Sequence, residues 1–187
     1  LWDINRSESA EELDRAVRDF AQPHQNVVFA SVDGRVGYRL GGRVPLRDWD
    51  GAVPVDAARM GEGFRGTWPT ALHPAGMDPL AGYYATANNL QAPRLGTAIS
   101  TDYAAPLRAE RISQQLDERV DWDMAAVHEL QRDTYSLLGD MYRPLALAAA
   151  ERTGESQAAA RLEEWDGRVD ITSVGAPLFY SWLYRLR

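Results

Sequence analysis

The side chains that this sequence offers for covalent chemistry are few. The 187 residues include no cysteine and three histidines, His24, His73 and His128, and all 20 positively charged residues are arginine. Thiolate chemistry, zinc–thiolate sites and a lysine Schiff base are therefore excluded. His128 and Glu129 lack the second histidine of an H-E-x-x-H metal motif, and no G-x-S-x-G nucleophile elbow occurs. A nucleophile within this chain would have to be serine, threonine, aspartate or glutamate.

The composition limits the classes of molecule that this chain is expected to bind. Hydrophobic residues make up 45% and charged residues 25%, which are values typical of a folded globular protein. The net charge is −7 and the arginines form no cluster, so the sequence favours no phosphate-backbone partner. No apolar run approaches the length of a membrane-spanning helix. We therefore expect no nucleic-acid partner and no membrane span.

The first half of the chain predicts a helix followed by a β-hairpin. Residues 7–20 carry an apolar stripe at helical spacing, with Ser7 or Ser9 as the N-cap. Residues 26–42 predict two strands around a two-residue turn at Asp33-Gly34. Residues 41–80 hold 7 of the 15 glycines and 5 of the 10 prolines, which predicts a long ordered loop. Residues 82–90 predict a short strand that ends in a turn.

The second half predicts mainly helices. One helix is expected over residues 108–120, and a second from Asp121 or Asp123 that Pro144 should stop or kink. Shorter helices are expected at 156–165 and 177–186. The fold class is therefore α+β, with a helix, hairpin and loop over residues 1–104 and a helical part over residues 105–187. Because two strands alone are only marginally stable, further strands are expected from outside this chain.

Four short segments occur in an order that points to one family. They are Gln25-Asn-Val-Val-Phe-Ala-Ser-Val-Asp-Gly-Arg-Val-Gly-Tyr38, Gly42-Arg-Val-Pro45, Thr86-Ala-Asn-Asn89 and Arg108-Ala-Glu-Arg-Ile112. In that order and with those gaps, the chain resembles the penicillin acylase family of N-terminal-nucleophile amidohydrolases. The later Trp165-Asp166-Gly167 also fits this family, and the resemblance extends over essentially all 187 residues. The resemblance implies that this chain forms part of the family's sheet and corresponds to the middle of its β-chain.

The resemblance implies hydrolysis of an N-acyl amide by a serine at the start of the processed β-chain. That serine's own α-amine would act as the base through a water in the family's scheme, because a free α-amine titrates at about 7.7–8.0. Leu1 is not that serine. The chain is therefore interpreted as a β-chain segment whose nucleophile lies outside it, and the isolated segment is expected to be inactive.

Two residues correspond to functional positions of the family, and a third lies near one. Asn88 corresponds to the side-chain donor of the oxyanion hole, and its alternative interpretation is a turn asparagine. Arg111 corresponds to an arginine that orients the site, and its alternative is simple pairing with Asp102 or Glu110. Asp102 lies near the position of a calcium ligand, and its alternative is an exposed aspartate that precedes a helix. No cofactor is required by this scheme, and structural calcium would belong to the complete enzyme.

The chain also departs from the family at certain positions. Asn26 matches a position that is expected to hold neighbouring backbone. Ser31 replaces the family's usual aspartate, and Ala87 stands where some members carry tryptophan. These changes leave the acyl preference undetermined.

The resemblance also implies partners and a location. The partners would be the remainder of the α- and β-chains and a small N-acyl substrate, in the periplasm or outside the cell. Unpaired sheet edges predict self-association of the fragment. The alternative function is a non-catalytic binding or interaction domain on the same scaffold, with the aromatic loop 49–77 holding an apolar ligand or a protein partner.

Overall fold

The computed structural model describes residues 1–59, 63–91 and 99–186. The chain forms two compact units, Leu1–Ala109 and Glu110–Arg187. The first unit contains two small sheets and two helices at its amino-terminal end, and the second is helical. The α+β fold class predicted from the sequence is confirmed.

Two helices open the first unit, α1 (Trp2–Asn5) and α2 (Ala10–Arg18). Ser9 caps α2, because its hydroxyl accepts a hydrogen bond from the Glu12 amide at 3.2 Å. The Glu12 carboxylate in turn accepts from the Glu8 amide at 2.9 Å. Of the two predicted caps, Ser9 is therefore the one that caps this helix, and α2 begins three residues later than the sequence pattern suggested.

The predicted hairpin consists of β1 (Gln25–Ala30) and β2 (Val36–Gly41), which are antiparallel. Its turn is longer than the predicted two-residue turn at Asp33-Gly34. The last strand pair is Ala30 with Val36, so five residues connect the strands. The Ser31 amide donates to the Arg35 carbonyl at 3.0 Å, and Gly34 adopts a φ of +87°. The Gly34 amide donates to the Ser31 carbonyl at 2.9 Å, so the central residues of the tight turn are Val32 and Asp33, one residue earlier than predicted, and glycine follows them in the left-handed conformation.

Residues 41–80 are more regular than predicted. Strand β3 (Pro45–Arg47) pairs with β4 (Phe64–Thr67) in a separate two-stranded sheet. Strand β5 (Ala75–Met77) pairs with β2, so the larger sheet has the order β1-β2-β5. Two 3-10 helices, Ala57–Arg59 and Thr70–Leu72, lie between these strands. Residues 60–62 of the predicted loop lie outside the described residues.

The strand predicted at residues 82–90 does not form. These residues run through bends without strand pairing. Tyr84 instead packs its ring against Tyr38, with the ring centroids 5.6 Å apart. A Cβ at Gly76 would lie 2.3 Å from the Tyr84 hydroxyl, so the missing side chain of that glycine makes room for the ring. The aromatic residues that suggested a strand serve here as packing groups.

The core of the first unit joins α2 to the hairpin. Val17 and Val44 are fully buried, and Phe29 and Leu40 are nearly so. The Phe29 ring lies over Gly37 on the opposite strand, where a Cβ would come within 2.3 Å of the ring. Cross-strand packing of an aromatic ring over glycine fixes the register of this pair.

One ion pair is buried beside that core. The Arg39 guanidinium binds both oxygens of Asp14, at 2.5 and 3.1 Å. Burial opposes ionisation of Asp14, but Arg39 and Arg18 outweigh it and lower the pKa of the carboxyl. The pair links α2 to β2 across the middle of the unit.

Five further helices lie within the described part of the chain: α3 (Leu107–Asp117), α4 (Met124–Gln131), α5 (Leu137–Arg152), α6 (Ser156–Glu163) and α7 (Gly175–Tyr184). The predicted helix after residue 123 is divided into α4 and α5. Tyr135, which lies between these two helices in the chain, forms a β-bridge with Arg168. The Ser136 hydroxyl caps α5 by accepting a hydrogen bond from the Gly139 amide at 3.0 Å. Of the two outcomes predicted at Pro144, a stop or a kink, the stop does not occur, because α5 continues through that residue.

The core of the second unit surrounds Trp165. Phe179 is fully buried, and its ring centroid lies 5.2 Å from that of the indole. A Cβ at Gly139 would come within 2.8 Å of the indole, and one at Gly175 within 2.4 Å. The Trp165 indole N–H donates to the Arg168 carbonyl at 2.7 Å. Two glycines therefore let α5 and α7 approach one large ring closely.

Candidate functional site

Asn88 lies in a bend with an unusual backbone conformation. Its φ is +61°, which is one of two positive φ values at non-glycine residues within the described ranges. Asparagine enters this left-handed region more readily than most side chains. The Asn88 side chain is exposed, whereas Ala87 beside it is buried. The bend thus presents an amide at the surface of the first unit.

Hydrogen bonds hold this bend to the segment that leads into α3. The Asn88 carbonyl accepts from the Ala104 amide at 2.9 Å. One terminal nitrogen of Arg108 donates to the Ala87 carbonyl at 2.8 Å and to Asn88 Oδ1 at 2.9 Å. Because the oxygen end of the amide faces the guanidinium, the Nδ2 hydrogens are the donors that this side chain can offer to another group.

The neighbouring Asn89 has a different arrangement. Its Oδ1 accepts from the Ala87 amide at 3.0 Å and from Gln91 Nε2 at 2.8 Å. Asn89 therefore stabilises the bend from within, as a turn asparagine does. Asn88 also fits a turn asparagine, because it lies in the bend with a positive φ, and the two adjacent amides differ in what their side-chain oxygens bind.

Tyr38 on β2 is a buried tyrosine in the same unit. The Tyr38 hydroxyl donates to Asn26 Oδ1 at 2.7 Å, so Asn26 binds a side chain where a backbone contact was predicted. Burial, with a contribution from Tyr103, raises the pKa of Tyr38 to about 12. This phenol is therefore protonated near neutral pH and serves as a hydrogen-bond donor rather than as a base.

Arg111, the second predicted site residue, belongs to the second unit. Its Nε donates to Asp133 Oδ2 at 2.5 Å, and its guanidinium lies 4.8 Å from the centre of the Tyr135 ring. Arg168 approaches the other oxygen of Asp133 at 3.2 Å. Burial would raise the pKa of Asp133, but Arg111, followed by a backbone hydrogen bond from Tyr135 and the charge of Arg168, lowers it overall. The partner of Arg111 is therefore Asp133 and neither of the two acids that the sequence suggested.

Two arginines share this one carboxylate. The Asp133 side chain is 11% exposed and that of Arg111 is 19% exposed. A partly buried carboxylate between two guanidinium groups is rigid, and it leaves a surplus of one positive charge. This cluster can fix the position of the α3 arginine and supply a positive field.

Asp102 does not by itself form a metal site. It is exposed, and its backbone amide donates to the Ser100 hydroxyl at 3.0 Å. Within residues 1–59, 63–91 and 99–186, no group of three or more His, Cys, Asp or Glu side chains is arranged to hold a metal ion. Calcium takes six to eight oxygens. The described residues therefore do not fit calcium without ligands from elsewhere.

Sequence reasoning missed Arg108 and His73. Arg108 belongs to the Arg108–Ile112 motif but carries no predicted role of its own, yet it binds the Asn88 side chain 20 residues away. His73 was placed in a loop beside a proline, yet it is 7% exposed and its Nε2 has no partner within the described residues. The sequence carries no signal for the contact between Arg108 and Asn88 or for the burial of His73. No helix in the described residues is long and apolar enough to span a bilayer.

Comparison with known proteins first defines the fold. The chain is similar in structure to the thermostable penicillin G acylase from Alcaligenes faecalis, with a TM-score of 0.74 and 19% sequence identity. The match covers 98% of this chain and 35% of that one. This α+β architecture is thus that of part of a penicillin acylase.

The sequence then identifies the family. The chain belongs to the penicillin amidase family, whose model matches residues 1–187. It is 30% identical to the acyl-homoserine lactone acylase QuiP of Pseudomonas putida over 98% of this chain and 24% of that protein. It is 32% identical to the penicillin acylase 2 proenzyme of Pseudomonas sp. strain SE83 over 90% of this chain and 22% of that protein. The chain thus spans about a quarter of the length of these relatives.

Proposed function

We propose that this chain is an internal segment of the β-chain of an N-acyl amide hydrolase, with Asn88 as the side-chain donor of its oxyanion hole. Family membership supports the reaction class, and acylase relatives about four times as long support a larger parent protein. The observation that carries the residue assignment is the orientation of Asn88, whose oxygen faces Arg108.

In the proposed reaction, a serine outside this chain attacks the substrate carbonyl. Its own α-amine accepts the hydroxyl proton through a water, and the carbonyl oxygen becomes an oxyanion. Asn88 Nδ2 donates a hydrogen bond to that oxyanion. The C–N bond then breaks, the amine takes up the proton and leaves, and water hydrolyses the acyl-serine to a carboxylic acid.

An amide suits this position for a physical reason. It is neutral, so it offers a donor without requiring a counter-ion in the resting enzyme. Its location in a bend fixed by Ala104 and Arg108 means that little reorganisation is needed when negative charge develops. The acyl group that is accepted depends on residues outside this chain.

Arg111 has a supporting role in this proposal. Asp133 and Tyr135 hold its guanidinium, and Arg168 shares the same carboxylate. The surplus positive charge of this cluster would orient the reacting groups of the complete enzyme. Structural calcium, if the parent binds it through Asp102, would take most of its ligands from the rest of the polypeptide.

The other partners follow from the same proposal. They are the rest of the α- and β-chains and a small N-acyl substrate, and the compartment is the periplasm or the exterior of the cell.

The alternative is a non-catalytic interaction domain. It is favoured by Phe64, which is 60% exposed and pairs with Trp49 at 5.5 Å between ring centroids. The experiments below separate these two functions.

The first test compares Asn88→Asp with Asn89→Asp in the full-length precursor. Asn88→Asp preserves the shape and the tolerance of positive φ but replaces the NH₂ donor with an oxygen. We expect kcat for chromogenic phenylacetyl or fatty-acyl amides to fall about 10²–10³-fold. Asn89→Asp keeps the Oδ1 acceptor and makes the same change of charge, so its kcat should stay near wild type.

Processing of each precursor is followed separately by the masses of the mature chains. A processed Asn88→Asp enzyme with the wild-type kcat would remove Asn88 from the oxyanion hole. An equal loss of kcat in both variants would mean that the bend matters only as structure.

The second test uses the 187 residues alone. Because the nucleophile is proposed to lie outside them, the purified chain should show no turnover of the same amides above a buffer blank. Turnover would refute an external nucleophile. The reading frame upstream of Leu1 provides the matching genetic test, since a Gly-Ser or similar cleavage junction is expected there.

A further inference from the structure

We propose that Arg47 is a positioning residue that fixes residues 99–104 and, through them, the bend at Asn88, an inference that rests on the proposed function. Arg47 is the last residue of β3, and its Nη2 donates to the Ile99 carbonyl at 3.0 Å. Five residues further along, the Ala104 amide donates to the Asn88 carbonyl at 2.9 Å. The 99–104 segment is therefore attached at both ends, to β3 and to the bend.

The loop after β3 holds the Arg47 guanidinium in place. A Cβ added at Gly51 would lie 2.7 Å from Nη1 of Arg47, so the loop can pass this close to the guanidinium only because residue 51 has no side chain. Gly51 has a φ of +81°, and the Asp50 carboxylate accepts from the Ala52 amide at 2.9 Å within the same turn. The half-buried Arg47 side chain is thus packed in a defined position beside the Ile99 carbonyl.

The 99–104 segment needs such a contact. Residues 100–106 belong to neither a helix nor a strand, so no regular pattern of backbone hydrogen bonds fixes their position. The bond from the charged Arg47 guanidinium to the Ile99 carbonyl is charge-assisted and therefore stronger than a bond between neutral groups. The planar guanidinium is also pre-organised, so it loses less side-chain freedom per hydrogen bond than a flexible ammonium does.

This contact matters for chemistry because an oxyanion donor acts through its position. Asn88 has a φ of +61°, and the Ala104 amide is one of the groups that holds its backbone in that conformation. If the 99–104 segment shifts, the Asn88 amide moves away from the place where negative charge develops. Transition-state binding then weakens more than substrate binding, so kcat should fall more than KM rises. Arg47 acts through the main chain and needs no contact with the reacting atoms.

The kinetic test is a double-mutant cycle in the full-length, processed enzyme. Arg47→Met removes the donor and keeps most of the side-chain length, while Asn88→Gly removes the amide and tolerates the positive φ. We expect Arg47→Met to lower kcat about 10-fold and to change KM less than ~3-fold. In the Asn88→Gly background, the same substitution should change kcat less than ~2-fold, because Arg47 acts through that amide.

Hydrogen exchange measures the attachment itself in the same enzyme. The Ala104 amide hydrogen exchanges when its bond to the Asn88 carbonyl opens, so its exchange rate reports how firmly the segment holds the bend. In Arg47→Met, we expect this rate, followed by mass spectrometry of peptides, to rise at least ~10-fold. The Gly139 amide, which is bound to the Ser136 hydroxyl in the second unit, serves as the reference and should exchange as in wild type.

Three further variants keep the test decisive. Gly51→Ala retains Arg47 but places a methyl group where the guanidinium lies, so it should lower kcat as Arg47→Met does. Gly34→Ala is the matched control, because Gly34 has a similar φ of +87° but a Cβ there meets no described atom within 4 Å. Its kcat should equal that of wild type. Arg47→Lys retains one charged donor and should give an intermediate kcat, which provides a measurement if the methionine variant is not processed.

The possible results separate the two proposals. A wild-type kcat or an unchanged Ala104 exchange rate in Arg47→Met would overturn the positioning role while leaving Asn88 in the site. An equal loss of kcat in both backgrounds of the cycle, or in Gly51→Ala and Gly34→Ala alike, would also overturn it. A wild-type kcat in Asn88→Gly would overturn the proposed function itself. Faster Ala104 exchange, together with a loss of kcat that Asn88→Gly abolishes, supports the role of Arg47.

Discussion

At the residue scale, His73 is a buried titratable group that the proposed chemistry does not use. Its Nδ1 faces the Leu40 carbonyl at 3.3 Å, while Nε2 has no partner within the described residues. Burial lowers the pKa of His73, the Leu40 carbonyl opposes this, and the positive charges of Arg39 and His24 add to the lowering. The neutral imidazole is therefore the form that the fold accommodates.

This burial predicts a pH-dependent stability. The unfolded chain binds a proton at His73 below its ordinary pKa of about 6.5, whereas the folded chain binds it only at lower pH. The stabilisation is thus complete above pH ~6.5 and is lost as the pH falls from there toward the folded-state pKa, at up to about 1.4 kcal/mol per pH unit. In His73→Gln, urea unfolding should lose this part of the slope between pH 5.5 and 7.5.

The matched control is His128→Gln, because His128 is exposed on α4. That variant should keep the wild-type slope. An unchanged slope in His73→Gln would show that the buried imidazole does not contribute to the acid sensitivity of the chain.

The sequence predicted the important residue types better than their contacts. Asn88 could be selected because a resemblance in motif order pointed to it. Which of the two adjacent asparagines faces outward depends on Arg108 and Gln91, and neither contact has a sequence signal. Arg111 likewise binds Asp133 through a tertiary contact that spacing on its own helix could not reveal. The catalytic role of Asn88, the orienting role of Arg111 and the calcium role of Asp102 stay predictions.

At the scale of elements, α5 contains a proline in its interior. Pro144 has no amide hydrogen, so it cannot donate to the Asp140 carbonyl as the helix pattern requires. The helix nevertheless continues, because the Ser136 cap holds its first turn and the buried Ala146 and Ala150 pack its second half into the core. Tertiary packing outweighs the local preference of proline.

Replacing this proline should stabilise the helix. Pro144→Ala restores the missing donor, and we expect the free energy of unfolding of the 187-residue chain to rise by about 1–3 kcal/mol in urea titrations. Leu145→Ala is the control, because Leu145 is 58% exposed and its loss should change stability little. A decrease in stability for Pro144→Ala would mean that the local backbone has adapted to proline.

The other elements show where sequence patterns succeed and fail. Local signals such as the Ser9 cap and the alternation in the hairpin predicted their elements well. The strand expected at residues 82–90 failed because Tyr84 packs on Tyr38 instead of entering a sheet. The short strands β3, β4 and β5 were missed because strands of three or four residues leave no readable period.

At the scale of the whole molecule, β1 forms one edge of the described three-stranded sheet. Val28 on this strand is 44% exposed and pairs with Tyr38 on β2. An edge strand that carries an exposed apolar side chain readily pairs with another chain. In the longer enzyme of the proposed function, we expect a strand from outside these 187 residues to cover this edge.

The isolated chain should therefore self-associate. Its average mass in sedimentation equilibrium should rise with concentration, and Val28→Lys should reduce that rise by placing a charge on the edge. Val32→Lys is the matched control, because Val32 is fully exposed in the hairpin loop and not in the strand. A chain that remains monomeric at all concentrations, or two variants with equal effects, would argue against association through β1.

The order of the motifs along the chain predicted the family, and that prediction is confirmed. The sequence could not predict the rest of an active site, because the chain spans about a quarter of the length of its relatives. Interpretation as a β-chain segment with an external serine stays a prediction, because neither the described contacts nor the relatives test it.

The core around Trp165 constrains how this protein can change over evolutionary time. The indole is enclosed by two positions that cannot carry even a methyl group, Gly139 and Gly175. A smaller residue at 165 would leave both helices facing a void, and a larger residue at either glycine would displace the ring. These three positions should therefore be inherited as a set, with compensating replacements appearing together when any one of them is altered.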